Sequence, residues 1–237
     1  MNPPIRVLIH GASGRMGQAL LRLCAEQPRC QVVAAVTRKA PAQRVVEGVP
    51  FFAASELSGV PAFDVAIDFS LPEGFDPLLA LCVARGAALV SGTTGLDAPQ
   101  RTALASAATT LPVLWSSNFS LGVAVLAELV ERAAAALPGW DCDVIEAHHT
   151  QKKDAPSGTA LTLGEAAGGG GAQVSYASLR AGDLVGEHTV QFTGLGERVE
   201  LVHRATNREI CARGALHAAV RLVGKPPASY RVRDLLD

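Results

Sequence analysis

Short apolar runs alternate with helical patterns along the first half of the chain, and each apolar run ends at or next to a polar residue. Runs this short predict buried strands, while the patterns near 73–85 and 98–108 predict helices. The predicted strands cover 6–10, 31–36, 65–69, 88–91 and 112–116. Such alternation is typical of a doubly wound parallel sheet, so we expect an α/β fold.

The second half of the chain has a different pattern. A helical run at 121–136 places Leu126, Leu129 and Val130 on one face, which predicts a packing helix. Helices are then scarce, and Gly194-Leu-Gly196 suits the turn of a hairpin. The predicted strands cover 142–147, 173–179, 188–192 and 198–203, followed by a helix at 215–223. This pattern indicates a smaller α+β domain with a mainly antiparallel or mixed sheet.

The change of pattern divides the chain into two domains. We expect a Rossmann-like dinucleotide-binding domain to comprise 1–119 and 212–237, because the tail has nowhere to pack unless it returns there. The second domain comprises 120–211, and the family resemblance described below implies that it binds the substrate and forms the oligomer. Four consecutive glycines at 168–171 are interpreted as a shortened loop within it.

The charge balance argues against several classes of protein. The 21 basic and 22 acidic residues give a net charge of −1, which disfavours a general binder of nucleic acid or membrane surfaces. Five cysteines without metal or redox spacing indicate reduced thiols. The first apolar run is too short for a signal peptide, and no apolar run reaches the ~18 residues of a membrane span. We therefore expect a cytoplasmic protein.

A glycine motif directly follows the first predicted strand. The segment Gly11-Ala-Ser-Gly-Arg-Met-Gly17 leads into a helical pattern at 18–26. Glycines permit a tight turn and a close approach of the backbone to a pyrophosphate, while the helix start supplies N–H donors. The spacing G-x-x-G-x-x-G is less common than G-x-G-x-x-G, and alone it is equally compatible with a structural turn. The strand–turn–helix context favours a dinucleotide site with the candidate residues Gly11, Ser13, Gly14, Arg15, Met16 and Gly17.

The end of the second predicted strand bears on the choice of cofactor. Thr37, Arg38 and Lys39 lie about twenty residues past the glycines, where a Rossmann unit contacts the adenosine ribose. A carboxylate there would repel the 2′-phosphate of NADP, and none is present. We therefore expect NADPH to be preferred over NADH. In the alternative, Arg38 only stacks on the adenine, which would help both cofactors equally.

Polar segments follow the next three predicted strands at their carboxyl ends, where ligands bind in a doubly wound sheet. Each segment is also compatible with an ordinary turn, but their shared position favours a cofactor cleft. The candidate residues are Phe69, Ser70, Gly92, Thr94, Ser117, Asn118 and Phe119.

The segment 148–153 concentrates two histidines and two lysines in an otherwise mildly charged chain. An imidazole with its unperturbed pKa of ~6.5 gives or takes a proton near neutral pH. The alternative is a solvated basic loop. A metal site is disfavoured, because the chain has neither a His-Glu-x-x-His nor a Cys-x-x-Cys pattern.

The same segment leads into a predicted helix that starts near Gly158. Asp154 or Ser157 is a suitable cap, and Pro156 lies where its fixed φ is tolerated. Unpaired N–H groups at a helix start bind anions, and a glycine leaves a ligand room to approach the backbone. We therefore expect a carboxylate or phosphate site where Lys152 precedes the helix.

Several of these motifs, in order along almost the whole chain, resemble the 4-hydroxy-tetrahydrodipicolinate reductases, historically dihydrodipicolinate reductases, of bacterial lysine and diaminopimelate synthesis. The most specific is His-His-x-x-Lys followed by Asp-Ala-Pro-Ser-Gly-Thr at 148–159. The others cover 11–17, 67–70, 92–95, 118–120, 146–149, 180–183 and 186–188. The resemblance implies an oxidoreductase that uses NADPH or NADH, reduces a small dicarboxylate and forms a homotetramer through its second domain.

The resemblance also implies roles for individual residues. His148 is the proton donor, and Lys152 assists it. The substrate's carboxylates are held by His149, Lys152, Gly158 and Thr159. The chain departs from the family in two places. The segment 164–180 is shorter than in many relatives, which affects any oligomer contact made there, and Thr37 stands where relatives often have an acid.

Two other functions compete with this one. Another two-domain NAD(P)-dependent dehydrogenase, such as a semialdehyde dehydrogenase, needs a cysteine nucleophile beside a base, and no cysteine lies in 146–160. A cofactor-sensing regulator would leave His148, His149 and Lys152 without a role. Both alternatives therefore explain less of the sequence.

Overall fold

The computed structural model describes residues 3–40 and 42–236. The chain forms two compact units, of which unit 1 consists of Met1–Phe119 and Cys211–Asp237 and unit 2 of Ser120–Ile210. The strands are β1 Ile5–His10, β2 Cys30–Thr37, β3 Val45–Val46, β4 Val49–Ala53, β5 Val65–Asp68, β6 Ala88–Ser91, β7 Pro112–Trp115, β8 Asp141–His148, β9 Val174–Arg180, β10 Gly186–Gly194, β11 Glu197–Ala205 and β12 Ala228–Tyr230. The helices are α1 Arg15–Ala25, α2 Pro72–Arg85, α3 Ala98–Ala107, α4 Leu121–Ala136, α5 Gly158–Gly169 and α6 Ile210–Leu222.

Unit 1 contains a sheet with the strand order β12-β7-β6-β5-β1-β2-β4-β3. All neighbouring strands in it are parallel except β3 and β4. The middle strands are buried on both faces, as apolar runs predict for a parallel sheet. Leu8, Phe75, Leu78 and Leu89 have no exposed surface and form part of its core. The predicted Rossmann-like fold is therefore confirmed.

Unit 2 contains a four-stranded sheet in the order β11-β10-β8-β9. β10 is antiparallel to β8 and β11, whereas β9 is parallel to β8 because α5 connects them. Helices α4 and α5 pack on the sheet, burying Val130, Val144, Leu163, Val190 and Phe192 completely. The prediction of a smaller domain with a mainly antiparallel sheet is confirmed.

Three details differ from the sequence-based expectations. Gly168 and Gly169 belong to the last turn of α5 rather than to a loop. The end of this helix lies close to α4, since a Cβ at Gly170 would be 2.5 Å from the carbonyl oxygen of Glu131. Leu129 is 48% exposed, because it is rotated away from the buried stripe of α4. Finally, α6 begins at Ile210 instead of 215.

The tail belongs to unit 1, where its strand β12 pairs with β7. Strands β3, β4 and β12 were not predicted, and they add to the two edges of the sheet. Within the described residues, no helix is both long and apolar enough to span a membrane.

Candidate active site

Strand β8 presents Glu146 and His148 to the same buried side of unit 2. Its burial alternates along the strand, so that residues two apart share a face. Glu146 is 1% exposed and His148 is 8% exposed. The backbone of β8 continues beyond the sheet through a bond from Ala181 N–H to the His148 carbonyl, at 2.8 Å. The backbone that carries the His148 ring is therefore hydrogen-bonded to the chain that follows β9.

The carboxylate of Glu146 is the centre of a hydrogen-bond network. One oxygen, Oε2, lies 2.5 Å from His148 Nδ1 and accepts from Arg180 Nη1 at 2.9 Å. The other oxygen, Oε1, accepts from Arg180 Nη2 at 2.8 Å and from the Ser157 N–H at 3.2 Å. Burial alone would raise the pKa of Glu146, but the bonds from Arg180, Ser178 and His148 outweigh it and lower the pKa to about 2. The carboxylate is therefore ionised at neutral pH.

Ser157, rather than Asp154, caps the helix that follows. Its Oγ accepts from the Ala160 N–H at 3.2 Å. Asp154 instead accepts from Lys152 Nζ, 2.8 Å from each carboxylate oxygen. The sequence was compatible with either residue as the cap, and in the structure the cap is Ser157. A Cβ at Gly158 would meet no atom within 4 Å, so the first turn of α5 is accessible to a ligand.

Two further histidines, His149 and His188, belong to this part of unit 2. The pKa of His149 is lowered, first by burial and then by the positive charge of Arg208 and other cations. The buried Nδ1 of His149 has no hydrogen-bond partner among the described residues. His188 Nε2 lies 3.3 Å from Ser157 Oγ, and burial together with His148 and His203 lowers the pKa of His188 to about 4. His188 therefore lies against the cap of α5, and His149 keeps one ring nitrogen that a ligand could satisfy.

Unit 1 has a cavity of about 370 Å³ at the carboxyl end of β1. Six of the residues predicted to bind the cofactor line it: Gly11, Ser13, Gly14, Arg38, Phe69 and Ser70. Helix α1 begins beside the cavity, and Gly14 precedes it without a side-chain cap. Gly11 has a φ of 80° and packs closely on Phe69, where its Cβ would lie 2.5 Å from the carbonyl oxygen. Glycine is therefore required at this turn.

The other predicted cofactor residues do not line this cavity. Arg15, Met16 and Gly17 form the first turn of α1, and a Cβ at Gly17 would collide with the Gly11 carbonyl. The hydroxyl of Thr37 donates to the Lys39 carbonyl at 2.7 Å, and Thr37 is 8% exposed. Gly92 lies against the Phe69 ring, which also contacts the ring of Phe119 with centroids 5.5 Å apart. Thr94 and Ser117 are exposed, and Asn118 is partly buried. Their roles stay predictions.

Sequence reasoning missed a buried polar cluster beneath the cavity. Asp68 accepts from His10 Nδ1 at 2.9 Å, Ser70 N–H at 3.1 Å, Ser91 Oγ at 2.9 Å and Thr93 Oγ1 at 2.8 Å. These bonds hold the ends of β1, β5 and β6 together. The available signal was that each apolar run ends at or next to a polar residue. Which of these polar residues contact one another depends on the order of the strands in the sheet.

Two more residues were missed in unit 2, namely the anchors Glu146 and Arg180. They belong to the motifs at 146–149 and 180–183, but they are 34 positions apart. Only the parallel pairing of β8 with β9 brings them together. The alternation along β8 places Glu146 on the face of His148 and was a usable signal. Among the described residues, no three His, Cys, Asp or Glu side chains are grouped as metal ligands.

Comparisons with known proteins identify the family of the chain. Two family models match: "Dihydrodipicolinate reductase, N-terminus" over 5–119 and "Dihydrodipicolinate reductase, C-terminus" over 122–236. A 4-hydroxy-tetrahydrodipicolinate reductase of Stenotrophomonas maltophilia (strain R551-3) is 78% identical, and one of Xanthomonas campestris pv. campestris (strain B100) is 74% identical, with 98% of each chain covered in both cases.

A solved structure shows the same fold. It is a dipicolinate-bound dihydrodipicolinate reductase from Paenisporosarcina sp. TG-14, with 24% sequence identity and a TM-score of 0.82. The match covers 96% of this chain and 97% of that one. From the family models and the relatives together, this chain belongs to the dihydrodipicolinate reductase family.

Proposed function

We propose that this chain reduces 4-hydroxy-tetrahydrodipicolinate to tetrahydrodipicolinate with NAD(P)H, a step of bacterial diaminopimelate and lysine synthesis. Curated relatives at 74% to 78% identity carry that reductase name. The observation that carries the proposal is the pairing of His148 with Glu146 beside the start of α5. It combines a proton donor with cationic and N–H groups, which a dicarboxylate substrate needs.

The residues around the cavity of unit 1 fit a dinucleotide. Gly11 lets the turn after β1 pack against Phe69 at the edge of the cavity, and the start of α1 supplies N–H groups for phosphates. When bound, the nicotinamide supplies the hydride. The proposed cofactor-binding residues are Gly11, Ser13, Gly14, Arg15, Met16, Gly17, Thr37, Arg38, Phe69, Ser70, Gly92, Thr94, Ser117, Asn118 and Phe119.

Protonation of the product is the step proposed for unit 2. Hydride addition to a carbon–carbon double bond conjugated with an imine leaves an electron-rich nitrogen that must be protonated. His148 gives that proton, and Lys152 offsets the negative charge. The substrate's carboxylates are held by His149, Lys152, Gly158 and Thr159. The orphaned Nδ1 of His149 supports this assignment, because a carboxylate would satisfy it.

The test is loss of reduced-cofactor absorbance with freshly generated substrate. Activity should be blocked by pyridine-2,6-dicarboxylate, a planar dicarboxylate that occupies the same site. If the folded protein consumes no cofactor with this substrate, the proposed reaction is wrong. If it turns over but the inhibitor has no effect and gives no protection against heat, only the dicarboxylate site is wrong.

A preference for NADPH over NADH is the finer part of the cofactor proposal. Arg38 lines the cavity, and no carboxylate stands at Thr37 to repel a 2′-phosphate. One charge-assisted contact of ~1.5–3 kcal/mol corresponds to roughly 10- to 150-fold in affinity, before solvent screening reduces it. Arg38→Gln should abolish most of the preference, while the neighbouring Lys39→Gln serves as the matched control.

Salt separates this proposal from stacking on the adenine. A phosphate contact weakens as ionic strength rises, whereas stacking of Arg38 on a ring hardly changes. The measurement is kcat/KM for both cofactors at low and high salt. Equal or better use of NADH at low salt would contradict the preference.

We also propose a cytoplasmic homotetramer assembled through the sheet of unit 2. Helices cover only one face of this sheet, and the pairing places Leu179, Ala147, Ile145 and Val202 on the other. Leu179 is 57% exposed and Val202 is 41% exposed, which an assembly would reduce. Light scattering on the parent protein and on Val202→Lys tests this. A monomeric parent protein at assay concentrations would contradict it.

A further inference from the structure

We infer that Glu146 is a positioning residue, which fixes the ring of His148 and the start of α5 in one arrangement. This inference rests on the proposed function, in which His148 gives the proton. The same carboxylate contacts His148 Nδ1 through one oxygen and the Ser157 N–H through the other. Glu146 thereby couples the proton donor to the helix start that receives the substrate's carboxylate.

Glu146 does not itself contact the substrate in this arrangement. A carboxylate offers roughly four acceptor positions, and the bonds from His148, Ser157, Ser178 and Arg180 leave none of them open. The side chain has no exposed surface. It can therefore act only through the residues that it holds.

The bond to Glu146 determines which nitrogen of His148 gives the proton. An ionised carboxylate only accepts hydrogen bonds, so Nδ1 must carry a hydrogen. Nε2 is the other nitrogen, and it lies 3.0 Å from the place where a side chain at Gly186 would begin. In the reaction the Nε2–H bond breaks and the proton binds the reduced product. The ring is left neutral with its hydrogen on Nδ1, ready to take a proton from water at Nε2.

The positive charge of Arg180 offsets the cost of burying the Glu146 carboxylate, and the same side chain connects Glu146 to the loop at Asp154. It donates two N–H groups to Glu146 and one to the Asp154 carbonyl, at 2.5 Å. Asp154 lies in the loop that carries Lys152, so the loop and the His148 ring share one anchor. A stabilising ion pair without influence on the reaction is the competing explanation, and kinetics distinguish the two.

The test is Glu146→Gln, with Glu165→Gln as the matched control. Glutamine keeps the shape but offers one oxygen, so its NH₂ group faces a donor from either His148 or Arg180. Glu165 is exposed on α5, away from this network. We expect kcat to fall at least about 10-fold, and by less than the roughly 10²- to 10⁴-fold that a general acid supplies.

Two further measurements distinguish a positioning role of Glu146 from an effect on folding stability alone. The solvent deuterium isotope effect on kcat should rise in Glu146→Gln, because proton transfer becomes slower, while pyridine-2,6-dicarboxylate should bind within about 3-fold of normal. A reduced fraction of folded enzyme would lower kcat without changing the isotope effect. An unchanged kcat, or an unchanged isotope effect, would overturn the inference.

Two more variants keep the test decisive. If Glu146→Gln does not fold, Glu146→Asp keeps the charge but withdraws it from His148, and the same rise in isotope effect is expected. The double variant Glu146→Gln with His148→Gln should be no slower than His148→Gln alone, because residues that act together are not additive. If His148→Gln itself keeps normal kcat, the proposed role of His148 fails instead.

Discussion

Gly186 begins β10 directly beside the ring of His148, and the substitution Gly186→Ala probes that contact. The added Cβ would lie 3.0 Å from Nε2 and 3.3 Å from Cδ2 of His148. Optimal contact between such atoms is about 3.5–4.0 Å. The methyl has little room to retreat, because His188 Cε1 lies 3.7 Å away. The ring of His148 must therefore shift by a few tenths of an ångström, and its Nε2 becomes partly covered.

The expected magnitude follows from that shift. A misplacement of about 1 Å can cost ~10²-fold in rate, so a shift of a few tenths should lower kcat roughly 3- to 10-fold. Overpacking should lower the free energy of unfolding by about 1–3 kcal/mol. Steady-state kinetics and urea unfolding measure the two effects. Gly168→Ala is the control, since its Cβ would meet nothing within 4 Å, and it should add about 0.5–1 kcal/mol without changing kcat. A kcat within 2-fold of normal in Gly186→Ala would refute the proposed approach to Nε2.

Other variants test the remaining assignments. His148→Gln should lower kcat ~10²-fold or more with a smaller effect on KM, and steady-state kinetics would show near-normal kcat if His148 is not the donor. Lys152→Ala should weaken inhibition by pyridine-2,6-dicarboxylate by up to ~1.5–3 kcal/mol, and an unchanged inhibition constant would remove Lys152 from the site. Because the pKa of Glu146 is depressed from 4.5 to about 2 in the folded protein, its stabilisation is complete above pH 4.5 and lost as pH falls towards 2. The difference in urea stability between the parent and Glu146→Gln should therefore shrink over that range, and a constant difference would contradict the network. Gly164→Ala, whose Cβ would collide with Tyr176 Oη, should destabilise the protein, and a Tyr176→Ala background should remove that loss if the collision is the cause.

The parts of the fold that could be predicted have a strong local signal. Buried strands such as β5 and β6 are uninterrupted apolar runs, and Ser120 at the start of α4 accepts from the Val123 N–H as a capping residue does. Strand β12 has no such signal, because Ala-Ser-Tyr is short and partly exposed. Its existence depends on β7 offering an unpaired edge, which is a tertiary effect.

The candidate site divides in the same way. His148, His149 and Lys152 are adjacent in sequence, so their chemistry could be proposed from the sequence alone. The alternation along β8 also indicates Glu146 as a neighbour of His148, but the contact of Arg180 with Glu146 could not be predicted, because Arg180 lies on a different strand. Thr37 shows the reverse limitation. Its position at the end of β2 was predictable, but the bond of its hydroxyl to the Lys39 carbonyl depends on the turn that follows.

The split of unit 1 between two chain segments has a consequence for synthesis on the ribosome. The segment 120–210 is continuous and can fold as soon as it has emerged, whereas the sheet of unit 1 lacks its last strand until residues 228–230 are made. Until then the edge of β7 presents unpaired N–H and C=O groups, which other chains can bind. We therefore expect nascent chains stalled before residue 228 to depend on chaperones, and chains released there to aggregate.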